Sequence, residues 1–137
     1  MAQAVPAGVS EFKSLVHEAA RRTGGRLSAF TPAEDVTPNF HQALITYRDR
    51  TVAMLCSRDD GSVVVTESFS VGSDWSLVFV DEPELAAVVR RFEGFTVLSK
   101  DDAERPFSHP DHPHVSVRDL AYWKPENTGQ ALFHWWD

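Results

Sequence analysis

The sequence predicts an α+β domain: an antiparallel sheet, built as a four-strand meander plus one or two further strands, with N-terminal, middle and C-terminal helices packed on it. Three observations carry this. Apolar residues recur at helical spacing near the start and again after Asp81, and β-branched and aromatic runs fill the stretch from His41 to Val80 between short polar breaks. The chain has 137 residues, 42% hydrophobic and 24% charged. That is enough for one core burying roughly two thirds of the unfolded surface, without disulfides or metal.

Residues 1–9 are small, contain Pro6 and Gly8, and read as a loose arm ahead of a single domain over residues 10–137. Ser10 is the expected cap of a helix whose Phe12, Leu15, Val16, Ala19 and Ala20 form one stripe, ended by Gly24-Gly25. Thr31 to Asn39, with Pro32 and Pro38, reads as a connector. Four strands follow at Phe40–Tyr47, Thr51–Ser57, Ser62–Phe69 and Trp75–Val80. The breaks between them suit hairpins, and Gly61 stands where a positive φ is expected. The second strand is apolar on both alternating sets, Val52, Met54 and Cys56 against Ala53 and Leu55, which predicts an interior strand covered on both faces.

Asp81 with Glu84 three residues later and Pro83 between them signals a helix start, followed by the stripe Leu85, Val88, Val89 and Phe92 and a stop at Gly94. Phe95–Ser99 reads as a further strand and residues 101–114 as a long surface loop, although Asp101 can also open a short helix. Val115–Val117 or Leu120–Trp123 is the expected last strand. Pro125 suits the first turn of a closing helix with Thr128, Leu132, Trp135 and Trp136 on one side, and Gly129 permits close packing there. Three of the four tryptophans fall within residues 123–137, as expected of a helix that docks onto the core.

Twenty acidic against thirteen basic residues leave a net charge of −7, none of it carried by the N-terminal part. Nucleic acid is disfavoured as a direct partner, because phosphate binding needs clustered Lys and Arg and only pairs such as Arg21-Arg22 and Arg90-Arg91 occur. No apolar run approaches the roughly 20 residues of a membrane span, and no basic-then-apolar leader opens the chain, so a cytoplasmic location is expected. The lone Cys56 lies in an apolar run and reads as a buried, inert thiol.

The densest set of potential metal ligands is His109, Asp111, His112 and His114. Pro110 and Pro113 hold this segment near polyproline II, where a rise of about 3.1 Å per residue sets His109 and His112 roughly 9 Å apart. Zinc ligands must converge to about 2.0–2.2 Å, so a site there needs a sharp bend or distant help from His41, His134 or Glu104. Pairings such as His17 with Glu18 or His41 with Asp49 have no spacing that marks catalysis, and no phosphate cradle, nucleophile elbow or zinc-helix string occurs. A non-enzymatic protein without a cofactor is expected.

The carboxylates form three groups: Asp59-Asp60 at a turn, Asp81-Glu82-Glu84 at a helix start, and Asp101-Asp102-Glu104. Local architecture accounts for each, since turn aspartates bond their own backbone and acids favour helix N-termini. Brought onto one face, they would steer a basic partner.

The ending Trp123, Pro125, Gly129, Phe133, Trp136, Asp137 resembles the W-x-P-x-x-x-G-x-x-x-F-x-x-W-D ending of small bacterial proteins, some of them similar to immunity proteins of polymorphic toxin systems. The resemblance covers about fifteen residues and brings no catalytic residue with it. It implies an immunity-type inhibitor that occludes a toxin domain; the acidic charge makes a basic toxin the expected partner, and a monomer or homodimer is expected. Trp75 is then the expected anchor, with Asp59, Asp60, Asp74, Asp101 and Asp102 as steering charges. Two alternatives stand beside it: a small metal-dependent hydrolase or ligand-binding enzyme using His109, Asp111, His112 and His114, and a structural subunit of a larger assembly marked by a large exposed apolar patch.

Overall fold

The helical stripe near the N-terminus folds as expected, in a computed structural model that describes residues 8–33, 39–67, 77–108, 115–123, 125 and 127–133. Helix α1 spans Val9–Thr23 and buries Phe12, Leu15, Val16, Ala19 and Ala20. Its N-cap is Gly8 rather than Ser10, without a side-chain cap bond, so the helix begins one residue inside the predicted arm. Gly24 ends it at φ +77°, a left-handed conformation that glycine adopts without a Cβ penalty.

Five strands follow in sheet order β1-β2-β3-β4-β5: β1 (Arg26–Thr31), β2 (Phe40–Thr46), β3 (Thr51–Ser57), β4 (Ser62–Glu67) and β5 (Thr96–Val97). The first four form an antiparallel meander and β5 joins β4 in parallel, so the sheet is mixed. The first strand of the meander is therefore β1, a segment without a regular alternating pattern. Its register shifts between Leu27 and Ala29, and this bulge lets Leu27 and Phe30, three residues apart, both pack on the α1 side of the sheet.

The predicted strand at Trp75–Val80 is described from Leu77 and is reduced to a bridge between Phe79 and Thr66. Glu67 N–H donates to the Val78 carbonyl at 2.9 Å and Val80 N–H to the Val65 carbonyl at 3.0 Å. The outer edge of β4 is shared: β5 takes Ser62 and Val63, and the Val78–Val80 segment takes Val65 to Glu67.

Strand β3 is covered on both faces. Met54, Cys56 and Val52 enter one cluster with Phe12, Leu15 and Val16 of α1 and with Leu85, Val88 and Val89 of helix α2 (Pro83–Val89). Ala53 and Leu55 enter a second with Phe40, Val64, Phe79, Ala103, Leu132 and Phe133. Helix α3 (Lys100–Glu104) supplies Ala103, and helix α5 (Thr128–Leu132) supplies Leu132 to this opposite face. The period-two alternation of a strand with no polar side is satisfied by helices on each side of it.

Several boundaries differ from expectation for identifiable reasons. Helix α2 ends at Val89 rather than near Gly94, because Arg91 and Phe92 N–H groups donate three residues back, to Val88 and Val89. Part of the predicted 101–114 loop is α3, capped by Ser99 Oγ accepting from Asp102 N–H at 3.1 Å. The predicted strand within residues 115–123 is helix α4 (Val117–Trp123). There Leu120 N–H donates to the Ser116 carbonyl at 3.0 Å, a helical turn formed despite the β-branched composition. The closing helix starts at Thr128, capped by Asn127 Oδ1 accepting from Gln130 N–H at 2.8 Å, rather than at Pro125.

Gly129 packs directly beneath the Phe79 ring, where a Cβ would overlap its Cζ. Gly129→Ala is therefore expected to destabilise the fold by about 1–3 kcal/mol in urea titration, as overpacking of a core does. Leu55→Ala, which empties a fully buried site, is expected to cost about 2–5 kcal/mol.

Candidate functional site

The Asp59-Asp60 group lies in the β3–β4 turn. Asp59 Oδ2 accepts from Asn39 Nδ2 at 3.2 Å, and Asp60 Oδ1 accepts from Ser62 N–H at 2.9 Å, a local turn bond. Gly61 follows at φ +76° and a Cβ there would strike the Gly94 carbonyl, so this turn stands against the turn that leads into β5. Asn39 also donates to the Leu132 carbonyl at 2.8 Å, which places Asp59 beside the end of α5.

The second and third carboxylate groups come together. Asp81 does not cap α2; the N-cap residue is Glu82, with no side-chain cap bond. Instead Asp81 Oδ1 accepts from Lys100 N–H at 2.8 Å, nineteen residues on, tying the start of α2 to the start of α3. Asp81 and Glu82 thus stand beside Lys100, Asp101 and Asp102 where β5 leads into α3, while Glu84 and Glu104 lie further along α2 and α3. Arg50 of the β2–β3 turn reaches Glu82 at 2.7 Å, and Arg105 reaches Asp102 at 3.2 Å. These pairs are substantially exposed and neutralise charge more than they add stability. Asp59 lies instead beside the end of α5, through Asn39, which bonds both Asp59 and the Leu132 carbonyl.

Asp74 and Trp75, the proposed steering charge and anchor, lie outside the described residues. So do His109, Asp111, His112 and His114. Among the described residues no group of three or more His, Cys, Asp or Glu side chains gathers to hold a metal. His41 is buried on the α1 face, its ring stacked on Phe12, and its Nδ1 accepts from Ala33 N–H at 2.9 Å. It sits at the start of β2, whereas Asp49 lies beyond the strand's end and pairs with Arg50 at 3.1 Å. His17 is exposed, and its neighbour Glu18 is held by Arg21 and Arg22, which keep the carboxyl below its usual range.

Between the two segments that share the β4 edge is a cleft of about 240 Å³. Val65, Val80, Ala86, Val97 and Leu98 make apolar walls, with Asp81, Glu82 and Arg90 among the polar groups lining it. Sequence reading named the acids but not the cleft. No local pattern marks it, because Phe95–Ser99 is five residues long and only Thr96 and Val97 of it pair with β4.

Exposed large apolar residues, the sign of an assembly subunit, are Val9, Val78 and Val117 among the described residues. They sit on α1, the bridge segment and α4. No helix among the described residues is long and apolar enough to cross a membrane.

Cys56 is fully buried in the α1-side cluster, as expected from its apolar run. Burial pushes its thiol pKa far up, with a smaller contribution from Asp60. An unfolded thiol ionises near pH 8.5 whereas the folded one holds its proton, so the unfolded state binds fewer protons above that pH. Stability is expected to fall between about pH 8.5 and 10 with a slope approaching 1.4 kcal/mol per unit, and Cys56→Ala is expected to lose this thiol component of the slope in denaturant titrations. Native protein at pH 8 is expected to resist thiol-directed alkylation until denaturant is added.

Comparison with protein-family models, curated proteins and solved structures found no match in any of the three.

Proposed function

We propose that this chain is a non-enzymatic protein-binding module, an immunity-type inhibitor that occludes a basic toxin domain. What supports the reading is the gathering of two carboxylate groups, distant in sequence, on the β5 side of the sheet through the bond from Lys100 N–H to Asp81. Most of the acids there are exposed: Asp81, Glu84, Asp101 and Glu104. A net charge of −7 surrounds them. Such a surface accelerates encounter with a basic protein, and a small number of desolvated contacts then set the lifetime of the complex. Asp59, Asp60, Asp74, Asp101 and Asp102 remain the steering charges, with Trp75 as an aromatic anchor. The same charge repels a phosphate backbone, so the partner is a protein rather than a nucleic acid.

Affinity capture of the tagged protein from its native host, washed at low and then high salt, is expected to retain one basic protein that is toxic when expressed alone. With that protein in hand, the pair Asp101→Lys, Asp102→Lys is expected to slow association by about tenfold or more at low salt and much less at high salt. Unchanged affinity with unchanged salt dependence across charge reversals at all five acids would contradict the reading.

A further inference from the structure

The cleft beside β4 has features that an acidic surface alone lacks. Its floor and walls are apolar, formed by Val65, Val80, Ala86, Val97 and Leu98, and carboxylates stand at Asp81 and Glu82. Each of these carboxylates has one oxygen already engaged: Asp81 Oδ1 by Lys100 N–H and Glu82 Oε1 by Arg50. The other oxygens, Oδ2 and Oε2, keep their acceptor capacity. Val78, half exposed, stands two residues before the lining residue Val80 on the segment that shares the β4 edge. At about 240 Å³ the cleft falls below the roughly 300–1,000 Å³ of pockets that take a drug-sized ligand. It suits a single long side chain with an aliphatic stem and a cationic end.

We infer that this cleft seats one lysine or arginine side chain of the protein partner, its stem against the valines and its charge on Asp81 and Glu82. The inference rests on the reading of the chain as a partner-binding protein and names where the partner is gripped. The occupant's charge follows chiefly from Asp81, whose carboxylate is engaged by a backbone N–H and has no ion pair among the described residues, whereas Glu82 already pairs with Arg50. Arg90, the cation of the lining, opposes a second cation, and this fixes the sign of a third substitution: an anionic occupant would need Arg90, whereas a cationic one gains from its loss.

The test uses the full chain and small probes, so it does not depend on finding the partner. Nα-acetyl-lysine amide is titrated into methyl-labelled protein, with Nα-acetyl-norleucine amide as the uncharged analogue of the same stem. Saturable shifts are expected at the methyls of Val65, Val80 and Val97, with the norleucine probe about tenfold weaker, a ratio appropriate to one charge-assisted contact. Asp81→Asn with Glu82→Gln keeps oxygen acceptors for Lys100 N–H and Arg50 and is expected to weaken the lysine probe about tenfold, with the unfolding midpoint showing that the fold persists. Arg90→Ala is expected to tighten it. Equal binding of the two probes, no shift at the three valines, or loss of binding in Arg90→Ala overturns the inference. A partner whose affinity ignores Asp81→Asn with Glu82→Gln overturns the pocket while leaving the inhibitor reading intact. Probe binding in a protein that captures no basic partner does the reverse.

Discussion

The structure depends on burying one strand, β3, on both of its faces. Val52, Ala53, Met54, Leu55 and Cys56 are all buried, and a strand without a polar side cannot lie at a solvent-facing position. The meander places it third of five, flanked by β2 and β4. Its alternating side chains then require a helix layer on each side: α1 and α2 over Met54 and Cys56, and α3 and α5 over Ala53 and Leu55. Each fully buried large aliphatic side chain contributes about 1.5–3 kcal/mol of transfer free energy, so neither layer can be lost without exposing a substantial part of the core.

This arrangement sends the polar chemistry to the rim. With the helices' apolar stripes turned inward, the carboxylates stand on turns, first helical turns and junctions. The decisive junction is the bond from Lys100 N–H to Asp81, which sets two acidic stretches side by side. The division of the β4 edge between β5 and the Val78–Val80 segment has a further consequence. Two short segments meeting one strand leave a gap where they part, and that gap is the valine-walled cleft. The surface assigned to partner binding and its pocket therefore follow from the way the sheet ends.

Much of this was legible in the residues. The stripe of α1, the double-sided apolarity of β3, the glycine at 61 and the buried thiol of Cys56 each depend on short-range periodicity or composition, which one sequence displays directly. Strand β1 was not legible, because its bulge puts Leu27 and Phe30 on one face at a spacing foreign to an ideal strand. Helix α4 resembles a strand in sequence because of Val115 and Val117, whereas the Ser116 carbonyl accepts from Leu120 N–H in a helical turn. Asp81 resembles a cap in sequence because its neighbours Pro83 and Glu84 do start a helix. Its carboxylate is committed to a residue nineteen positions away, a tertiary bond that no local pattern announces. The acidic groups could be identified in sequence; which of them would meet could not.

The central claim is that β3 is the buried axis on which both helix layers depend, and native-state hydrogen exchange tests it most directly. The amides of Met54 and Leu55 are expected to exchange only through global unfolding, with a free energy equal to that from denaturant titration, while those on the outer side of β1 exchange through local opening at much lower cost. Exchange of the Met54 and Leu55 amides as fast as those of β1, in a protein that remains folded, would contradict the account.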